Sequence, residues 1–302
     1  MQLIKPDINI DFVGKRKIAM IISIALILIG LASLVVKGGP NYGIDFAGGT
    51  LVQVQFAQPT DATAIKKALK GLDLGSVVVQ RFGDNQNEFL IRVEQSTAEL
   101  QGLSVQIQKA LGQTYEKGDV DIRRVEMVGP QVGKDLRNKG LKAIFYAMLG
   151  LLAYISWRFE FRFAVGAIVA LVHDVMITLG AFSLFDKEID LPIIAAFLAI
   201  IGYSLNDTII VYDRIRENTG KHNKESFPFI INRSINETLS RTLLTSGTTL
   251  LVVLALFVLG GGVIHNFAFA MLVGVLIGTY SSIFVASPIL IFWEQKNKAK
   301  AK

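Results

Sequence analysis

Long uncharged runs alternate along the chain with short, strongly charged stretches. Each run is close to the 20 residues that a helix needs to cross a bilayer. We therefore predict six transmembrane helices, at residues 18–36, 139–158, 163–185, 191–212, 242–264 and 267–293. The second run is the shortest, and its bounds assume that Lys139, Lys142 and Arg158 snorkel to the membrane surface.

The first run has an alternative interpretation as a signal peptide, because Lys15, Arg16 and Lys17 precede it. Its 19 apolar residues exceed the 7–15 that are typical of the apolar part of a signal peptide, and no small-x-small cleavage site ends it. The pattern favours an uncleaved membrane anchor.

The polar segment at residues 37–138 has the pattern of a folded α+β domain. It predicts strands at 50–56, 74–82, 88–93 and 120–128, and helices at 60–71 and 97–112. The order βαββαβ is the ferredoxin-like arrangement. The predicted fold class is an α-helical polytopic membrane protein with six transmembrane helices and one extracytoplasmic ferredoxin-like βαββαβ domain.

Within the tails and the short loops, lysine and arginine lie almost entirely on one side of the predicted membrane. They crowd the tails at 1–17 and 294–302 and the loop at 213–241, while the short loops on the other side hold only Lys187. Because positive residues stay inside, we expect both termini in the cytoplasm and the large first loop outside. The net charge of +6 therefore reflects membrane topology and contact with the lipid bilayer, and not nucleic-acid binding.

The composition also restricts the chemistry. The chain has no cysteine and three histidines, which excludes disulfides and thiolate zinc sites and makes a histidine metal centre improbable. The segment 129–135 does not match a phosphate-binding loop, and no nucleophile elbow or metalloprotease motif is present. We expect no catalytic residues, no cofactor and no metal.

Ionisable residues inside the predicted spans are the strongest functional signal, because a charge at a helix centre costs about 2.5–3.5 kcal/mol on insertion scales. Asp207 lies in the inner half of the fourth span and Arg241 opens the fifth, at compatible depths. Asp174 is a third candidate, although it could simply satisfy its neighbours in the bundle. Polar residues of the predicted fourth and fifth spans suggest that a hydrated path runs between these two helices. They are Tyr203, Ser204, Asn206, Thr208, Thr245 and Thr248.

Two interpretations of Asp207 and Arg241 remain open. In one, they form a static ion pair that holds two helices together. In the other, the Asp207 carboxyl gains and loses a proton, with Arg241 approaching in one conformation and withdrawing in another.

Glycine marks both joints of the soluble domain and one face of the sixth span. We predict a domain hinge formed by two groups, Asp45, Gly48 and Gly49 on entry and Gly129, Pro130 and Gly133 on return. In the sixth span Gly274, Gly278 and Ser282 recur every four residues, which predicts close helix packing.

Five motifs in this order resemble the SecD/SecF family of bacterial protein-export membrane proteins, within the resistance-nodulation-division superfamily. They lie at 43–50, 128–133, 201–208, 236–242 and 278–283, and the resemblance covers nearly the whole chain. It implies partnership with SecD, the SecYEG channel and an unfolded preprotein in the bacterial inner membrane. Protons would be the coupling ion, with Asp207 and Arg241 matching the family's proton pathway.

The resemblance leaves two other hypotheses. Exporters of this superfamily commonly carry two six-span halves, so the chain could be half of a proton-driven small-molecule exporter. It could also be a non-transporting scaffold of a membrane complex, in which neutral replacements of Asp207 and Arg241 would be tolerated.

Overall fold

The computed structural model describes residues 8–72, 74–75, 77–82, 87–93, 100–115, 119–222 and 224–300. Within these ranges six helical segments are long and apolar enough to cross a membrane. Five are single helices, α1 (Arg16–Val36), α5 (Pro130–Arg158), α6 (Phe161–Leu184), α7 (Leu191–Lys221) and α8 (Phe227–Leu259). The sixth consists of α9 (Gly261–Ser281), a π-helical turn (Ser282–Ala286) and α10 (Ser287–Lys300). The predicted class of membrane protein is confirmed.

Three helices extend well beyond the predicted spans, and the first is α5, which begins at Pro130 and not at residue 139. Residues 213–241 were predicted to be a loop, but α7 continues to Lys221 and α8 begins at Phe227. Ion pairs stabilise this polar helical hairpin, since Glu237 contacts both Arg214 and Arg233. Hydropathy marks the apolar part of a helix, whereas backbone hydrogen bonds continue into polar sequence that carries favourable charge pairs.

The soluble part, which we call the sheet domain, runs from β1 to β4. Its elements are β1 (Gly49–Phe56), α3 (Ala62–Leu69), β2 (Val77–Arg81), β3 (Glu88–Val93), α4 (Leu100–Thr114) and β4 (Val120–Val128). The strands form an antiparallel sheet in the order β2-β3-β1-β4. This is the predicted ferredoxin-like βαββαβ topology; residues 94–99, where the second predicted helix begins, lie outside the described ranges.

Alternating apolar residues build the core of the sheet domain. Val52, Val54 and Ile91 point from the strands onto Ile65 of α3 and Ile107 of α4, and all five are fully buried. The period of two in the strands puts their polar residues on the opposite face, which both helices leave open. That face turns toward the membrane helices.

Small residues allow the membrane helices to approach closely. A Cβ on Gly30 of α1 would lie 2.7 Å from the Cα of Gly180 on α6, so the two backbones touch. On α9, a Cβ on Gly274 would lie 2.3 Å from Ile200 of α7, and one on Gly278 would lie 2.9 Å from Ser204. Small residues at these contacts let the helix backbones pack closely, as is common between helices in membranes.

The sixth span is not one regular helix. At the π-helical turn the Ser287 hydroxyl donates to the Ser282 carbonyl, five residues earlier, at 2.8 Å. Tyr212 of α7 donates to the Ala286 carbonyl at 3.0 Å, which satisfies a backbone oxygen that the turn leaves available. π-Helical turns often accompany functional sites, and this one directly follows the residues of α9 that meet α6 and α7.

Candidate functional site

Asp207 lies in the middle of the bundle and is completely buried. Its Oδ2 accepts a hydrogen bond from Ser246 Oγ of α8 at 3.1 Å and a longer one from Thr279 Oγ1 of α9 at 3.5 Å. Its Oδ1 is also buried and has no hydrogen-bond partner. A buried polar atom without a partner is uncommon and calls for an explanation, such as a proton or water that occupies it in use.

Arg241 does not contact Asp207 in this structure. Its side chain is exposed, and it takes part in none of the ion pairs that the described residues form. The sequence-based hypothesis of a static pair between these two residues is therefore not supported by this conformation. The reason is the helical rotation, since Arg241 faces about 100° away from the buried Thr242 that follows it.

The polar face of α8 differs from the predicted one. Thr245 and Thr248 bond to carbonyls of their own helix, and Thr248 is exposed. The buried polar residues are instead Ser234, Thr238, Thr242 and Ser246, spaced every four residues. That spacing is visible in the sequence, but the choice between adjacent polar stripes depends on which way the helix faces.

The polar residues of α7 are divided between the bundle and its surface. Ser204 and Thr208 are buried on the same side as Asp207. Tyr203 is half-buried and its hydroxyl has no partner, while Asn206 is exposed. Only part of the predicted polar lining therefore surrounds Asp207.

Asp174 is a second fully buried carboxyl, and both of its oxygens have polar partners. Oδ2 accepts hydrogen bonds from Ser204 Oγ of α7 at 2.5 Å and from Ser281 Oγ of α9 at 2.8 Å. Oδ1 lies 2.9 Å from His173 Nδ1. The structure thus makes His173 and Asp174 the centre of a polar network that joins α6, α7 and α9.

The network continues to α1 through residues that the sequence reasoning missed. His173 Nε2 lies 3.0 Å from Ser23 Oγ, which lies 3.1 Å from the Tyr280 hydroxyl. Tyr280 in turn donates to the Ala19 carbonyl at 2.7 Å. A serine within an apolar helix gives little warning of such a role, so only the helix packing reveals it.

The entry joint of the sheet domain is a short, tightly held structure. Residues Ile44–Ala47 form helix α2, and Gly48 and Gly49 follow with φ of 79° and 112°, which favour glycine. The Asp45 carboxylate accepts a hydrogen bond from the backbone nitrogen of Leu191 at 2.9 Å. Asp45 thereby caps the start of α7, the helix that carries Asp207.

The return joint is more regular than predicted. Gly129 is extended and precedes Pro130, the first residue of α5, so Gly133 lies inside a helix. Proline suits a first helical position, because its fixed φ is already helical and its missing N–H would be unpaired there. Both joints touch, since a Cβ on Gly48 would lie 2.8 Å from the Pro130 Cα and one on Gly133 would lie 3.0 Å from the Phe46 carbonyl oxygen.

Acidic residues tie the sheet domain to the loop before α7. Arg92 of β3 forms an ion pair with Glu188 at 3.2 Å and also donates to the Tyr42 carbonyl at 2.6 Å. Burial raises the pKa of Glu188, and the nearby Arg92 guanidinium reduces this increase without cancelling it. Asp190 caps its own helix by accepting from the Ile193 nitrogen, and burial, together with the Asp45 carboxylate, raises the pKa of Asp190 to about 6.

A cavity of about 570 Å³ separates the open face of the sheet from this end of the bundle. Gln53 and Arg124 line it from the sheet, and Asp190 and His265 from the membrane helices. The joint described above forms one wall, because Gly43 and Asp45 also line the cavity. The cavity is therefore bordered by both parts of the molecule.

Comparison with known proteins agrees with this architecture. Residues 107–296 match the model of the protein export membrane protein SecD/SecF C-terminal family, and residues 32–60 match that of the SecD/SecF GG motif. The chain is 51% identical to protein translocase subunit SecF of Magnetococcus marinus, over 99% of this chain and 97% of that protein. It is 45% identical to SecF of Vibrio alginolyticus, over 96% of this chain and 91% of that protein.

A solved structure gives the same fold. The crystal structure of SecDF from Thermus thermophilus, described as a translocon-associated membrane protein, superposes with a TM-score of 0.88 at 34% identity and covers 97% of this chain. A second structure, SecDF in a super-membrane-facing form, gives a TM-score of 0.71 at 35% identity and covers 100% of this chain. The chain spans 40% of the length of each of those chains.

The six membrane helices, the sheet domain and these matches define a multi-pass component of protein export, a transport protein and not a classical enzyme. The chain belongs to the SecF family of protein translocase subunits.

Proposed function

We propose that this chain acts with SecD and uses the proton-motive force to assist preprotein movement through the SecYEG channel. The observation that carries the proposal is Asp207, a carboxyl buried in a helical bundle with one oxygen unpartnered. Ionisable residues that remain inside membranes usually mark ion or proton pathways. Asp207 is the proposed site of proton uptake and release, with no cofactor other than the proton itself.

The surroundings of Asp207 suit a group that changes its charge. Ser246 can stabilise the ionised form, because its hydroxyl donates to Oδ2 at 3.1 Å. Thr279 supports Ser246, since its hydroxyl has a single proton and its Oγ1 lies 2.7 Å from Ser246 Oγ but 3.5 Å from Oδ2. Oδ1 has room for the proton of the neutral form, because nothing else is bonded to it. One charge that crosses 100 mV of potential supplies about 2.3 kcal/mol, enough to bias a two-state equilibrium more than tenfold.

Arg241 would act by moving. Arg241 is exposed here and lies about one helical turn before Thr245 on α8. A shift of α8 against α7 would therefore be required to bring its side chain to Asp207. In the proposed cycle, proton binding removes the charge on Asp207 and lets α7 and α8 shift. Asp45 of α2 accepts a hydrogen bond from Leu191, the first residue of α7. A shift of α7 would therefore be passed through α2 to the sheet domain.

The proposed orientation places both termini in the cytoplasm and the sheet domain in the periplasm, in the bacterial inner membrane. It is supported by the basic residues of the helical hairpin, Arg214, Arg216 and Arg233, which lie at the end of the bundle away from the sheet domain. Positively charged segments remain on the cytoplasmic side.

SecD is the proposed neighbour on the surface formed by Asn206, Arg241 and Thr248. All three are polar and exposed although they lie within or beside membrane-spanning helices. Polar groups facing lipid are costly, so a second set of helices would cover them. More than half of each SecDF chain lies outside the part that superposes on this one. That remaining part is long enough to contain a second set of helices.

The first test replaces Asp207 with asparagine in cells or inverted vesicles that carry the full export machinery. Asp207→Asn should abolish the stimulation of export by the proton gradient, because the amide cannot bind and release a proton. The matched control is Asp213→Asn, on the same helix but exposed and paired with Arg216. Stimulation that survives Asp207→Asn, with normal protein levels, would refute the proposal.

Arg241→Ala provides a second test. Since Arg241 is exposed here, we expect less than about 0.5 kcal/mol loss of folding stability but at least a tenfold loss of gradient-dependent stimulation. The stability is measured by denaturant unfolding in bicelles and the stimulation in vesicles. If stability falls sharply, or if stimulation is unaffected, Arg241 is not a mobile partner of Asp207.

The same variants separate the two rival functions. A non-transporting scaffold would tolerate both neutral replacements in every export assay. Half of a small-molecule exporter would give a drug-sensitivity phenotype on deletion, with export of preproteins unaffected.

A further inference from the structure

The His173–Asp174 pair lies apart from Asp207 and has a different set of partners. Asp174 Oδ2 accepts hydrogen bonds from the hydroxyls of Ser204 and Ser281, and Asp174 Oδ1 lies within hydrogen-bonding distance of His173 Nδ1. His173 is 5% exposed and Asp174 is fully buried, so neither exchanges partners with bulk water. A titratable pair that is fully hydrogen-bonded inside a membrane bundle needs a defined number of protons.

Counting donors along the chain of hydrogen bonds fixes that number. The Tyr280 hydroxyl donates to the Ala19 carbonyl, so its oxygen must accept from Ser23. Ser23 has then used its proton and must accept from His173 Nε2–H. With Nε2 protonated, the 2.9 Å contact between Nδ1 and Asp174 Oδ1 requires one further proton, on either atom.

Loss of one proton would reverse this order. The remaining ring proton would lie on Nδ1 and bond to the Asp174 carboxylate, leaving Nε2 bare. Ser23 would then donate to Nε2, and Tyr280 would donate to Ser23 instead of the Ala19 carbonyl. The pair would change from neutral to a charge of −1, and α1 would lose one hydrogen bond from the bundle.

We propose that His173 and Asp174 form a second proton-binding site, whose proton sets the direction of the hydrogen bonds that reach α1 through Ser23 and Tyr280. The inference rests on the proposed proton-driven function and names a further site for the same ion. Its consequence is that α1, which leads directly to the entry joint of the sheet domain, senses protonation in the bundle.

Few other titratable groups face the pair. Tyr280 of α9 stacks on the His173 ring, with centroids 6.1 Å apart and an interplanar angle of 20°. Asp207 lies one turn beyond Ser204 on α7, and Ser23 is the facing side chain of α1. The described residues of α5 and of the π-helical turn contribute no buried titratable side chain here.

The connection to the Asp207 site runs through two helices. Ser204 precedes Asp207 by three residues on α7, and Ser281 follows Thr279 by two on α9. Helix α9 therefore donates to both carboxyls, through Thr279 to Asp207 and through Ser281 to Asp174, whereas α7 carries Asp207 and donates to Asp174 through Ser204. A shift of α7 against α9 would change the hydrogen bonds of both sites together.

The test observes His173 directly by nitrogen-15 NMR of the full chain in lipid nanodiscs. The chain has only three histidines, so H222Q and H265Q leave His173 as the single histidine signal. The spectra are recorded over a pH series, along which we expect Nε2 to lose its proton while Nδ1 stays protonated or becomes so. A ring with the same protonation at every pH would overturn the second site.

The link to α1 is read in the same sample from the carbon-13 shift of the Ala19 carbonyl. Ala–Met pairs occur at 19–20, 147–148 and 270–271, so the Ala19 signal is assigned by its loss in Met20→Leu. It should change in step with His173, and Tyr280→Phe should abolish the change while His173 still titrates. The matched control is Ser33→Ala, which also removes a hydrogen bond between α1 and α6, to Ser183, but should leave both signals coupled. A fixed Ala19 carbonyl beside a titrating His173 would overturn the link.

These signals do not depend on export, so the two proposals can fail separately. Unchanged stimulation in Asp207→Asn would refute the proton-driven function whatever His173 does. A static His173 with export still dependent on Asp207 would refute only the second site.

Discussion

Asp207 and Asp174 are both fully buried carboxyls on neighbouring membrane helices, but their hydrogen bonding differs. Asp174 has partners on both oxygens, whereas Asp207 has two donors on Oδ2 and none on Oδ1. A satisfied carboxyl helps to hold helices in one arrangement, and an unsatisfied one tolerates changes in its environment. Burial is common to both carboxyls, so the difference lies in where each would take up a proton: Asp207 on its unpaired Oδ1, and Asp174 within its contact to His173.

The largest expected difference between the two sites is in folding stability. Asp174→Ala should cost about 3–5 kcal/mol, because it leaves Ser204, Ser281 and His173 without their acceptor in the core. Asp207→Ala should cost about 1 kcal/mol, since Thr279 also bonds to the Val275 carbonyl. Denaturant unfolding of the purified chain in bicelles measures both.

Asp213→Ala, an exposed change on α7, is the control for both variants and should have little effect. Equal costs for Asp174→Ala and Asp207→Ala would show that the unpaired oxygen does not distinguish the two sites.

Asp190 extends the comparison to a carboxyl at the outer end of α7. Its pKa of about 6 lies above its ordinary value of 3.8, so the folded chain binds this proton more tightly than the unfolded chain does. Stability should therefore fall as pH rises from about 4 to about 6 and stay level above that, with a penalty of up to about 3 kcal/mol at neutral pH. Asp190→Asn should remove this slope while its amide oxygen still caps Ile193.

The measurement is the unfolding free energy of both proteins at intervals across that range. The difference between them should vanish near pH 4 and favour the variant near pH 7. A variant with the same slope as the parent would assign the pH dependence to another group, of which Glu188 is the nearest candidate.

The smallest predicted effect concerns the face of α8 that meets Asp207. Ser246→Ala should cost about 1 kcal/mol, because it removes the shorter of the two hydrogen bonds to Oδ2. Thr245→Ala should cost less than about 0.5 kcal/mol, since that hydroxyl bonds to its own helix. The two stability losses are compared by thermal unfolding of both variants in the same detergent. A larger loss for Thr245→Ala than for Ser246→Ala would support the polar face of α8 that was predicted from sequence.

The fold could be read largely from the sequence because its signals are local. Uncharged runs of bilayer length identify the membrane helices, and strand periodicity identifies β1 and β3. Helix ends were predicted less well. The stretch 213–241 is polar but helical, since ion pairs such as Arg214–Glu237 stabilise it, and hydropathy contains no information about them.

The site was predictable only in part. Asp207 and Asp174 stand out in sequence because charges in apolar runs are rare. Their partners Ser246, Thr279 and Ser281 do not, since small hydroxyl residues are common in membrane helices and only the rotation of each helix decides which of them face inward. The direction in which the Arg241 side chain points could not be inferred from its position along α8.

Helix α7 is a stiff rod of 31 residues, about 46 Å long, with its first turn clamped by Asp45 and Asp190. A tilt of about 5° around that clamp would sweep its far tip through about 4 Å while the clamped end barely moved. A tilt of α7 would therefore pivot at the base of the sheet domain, and Asp207 lies on the part of the helix beyond that pivot.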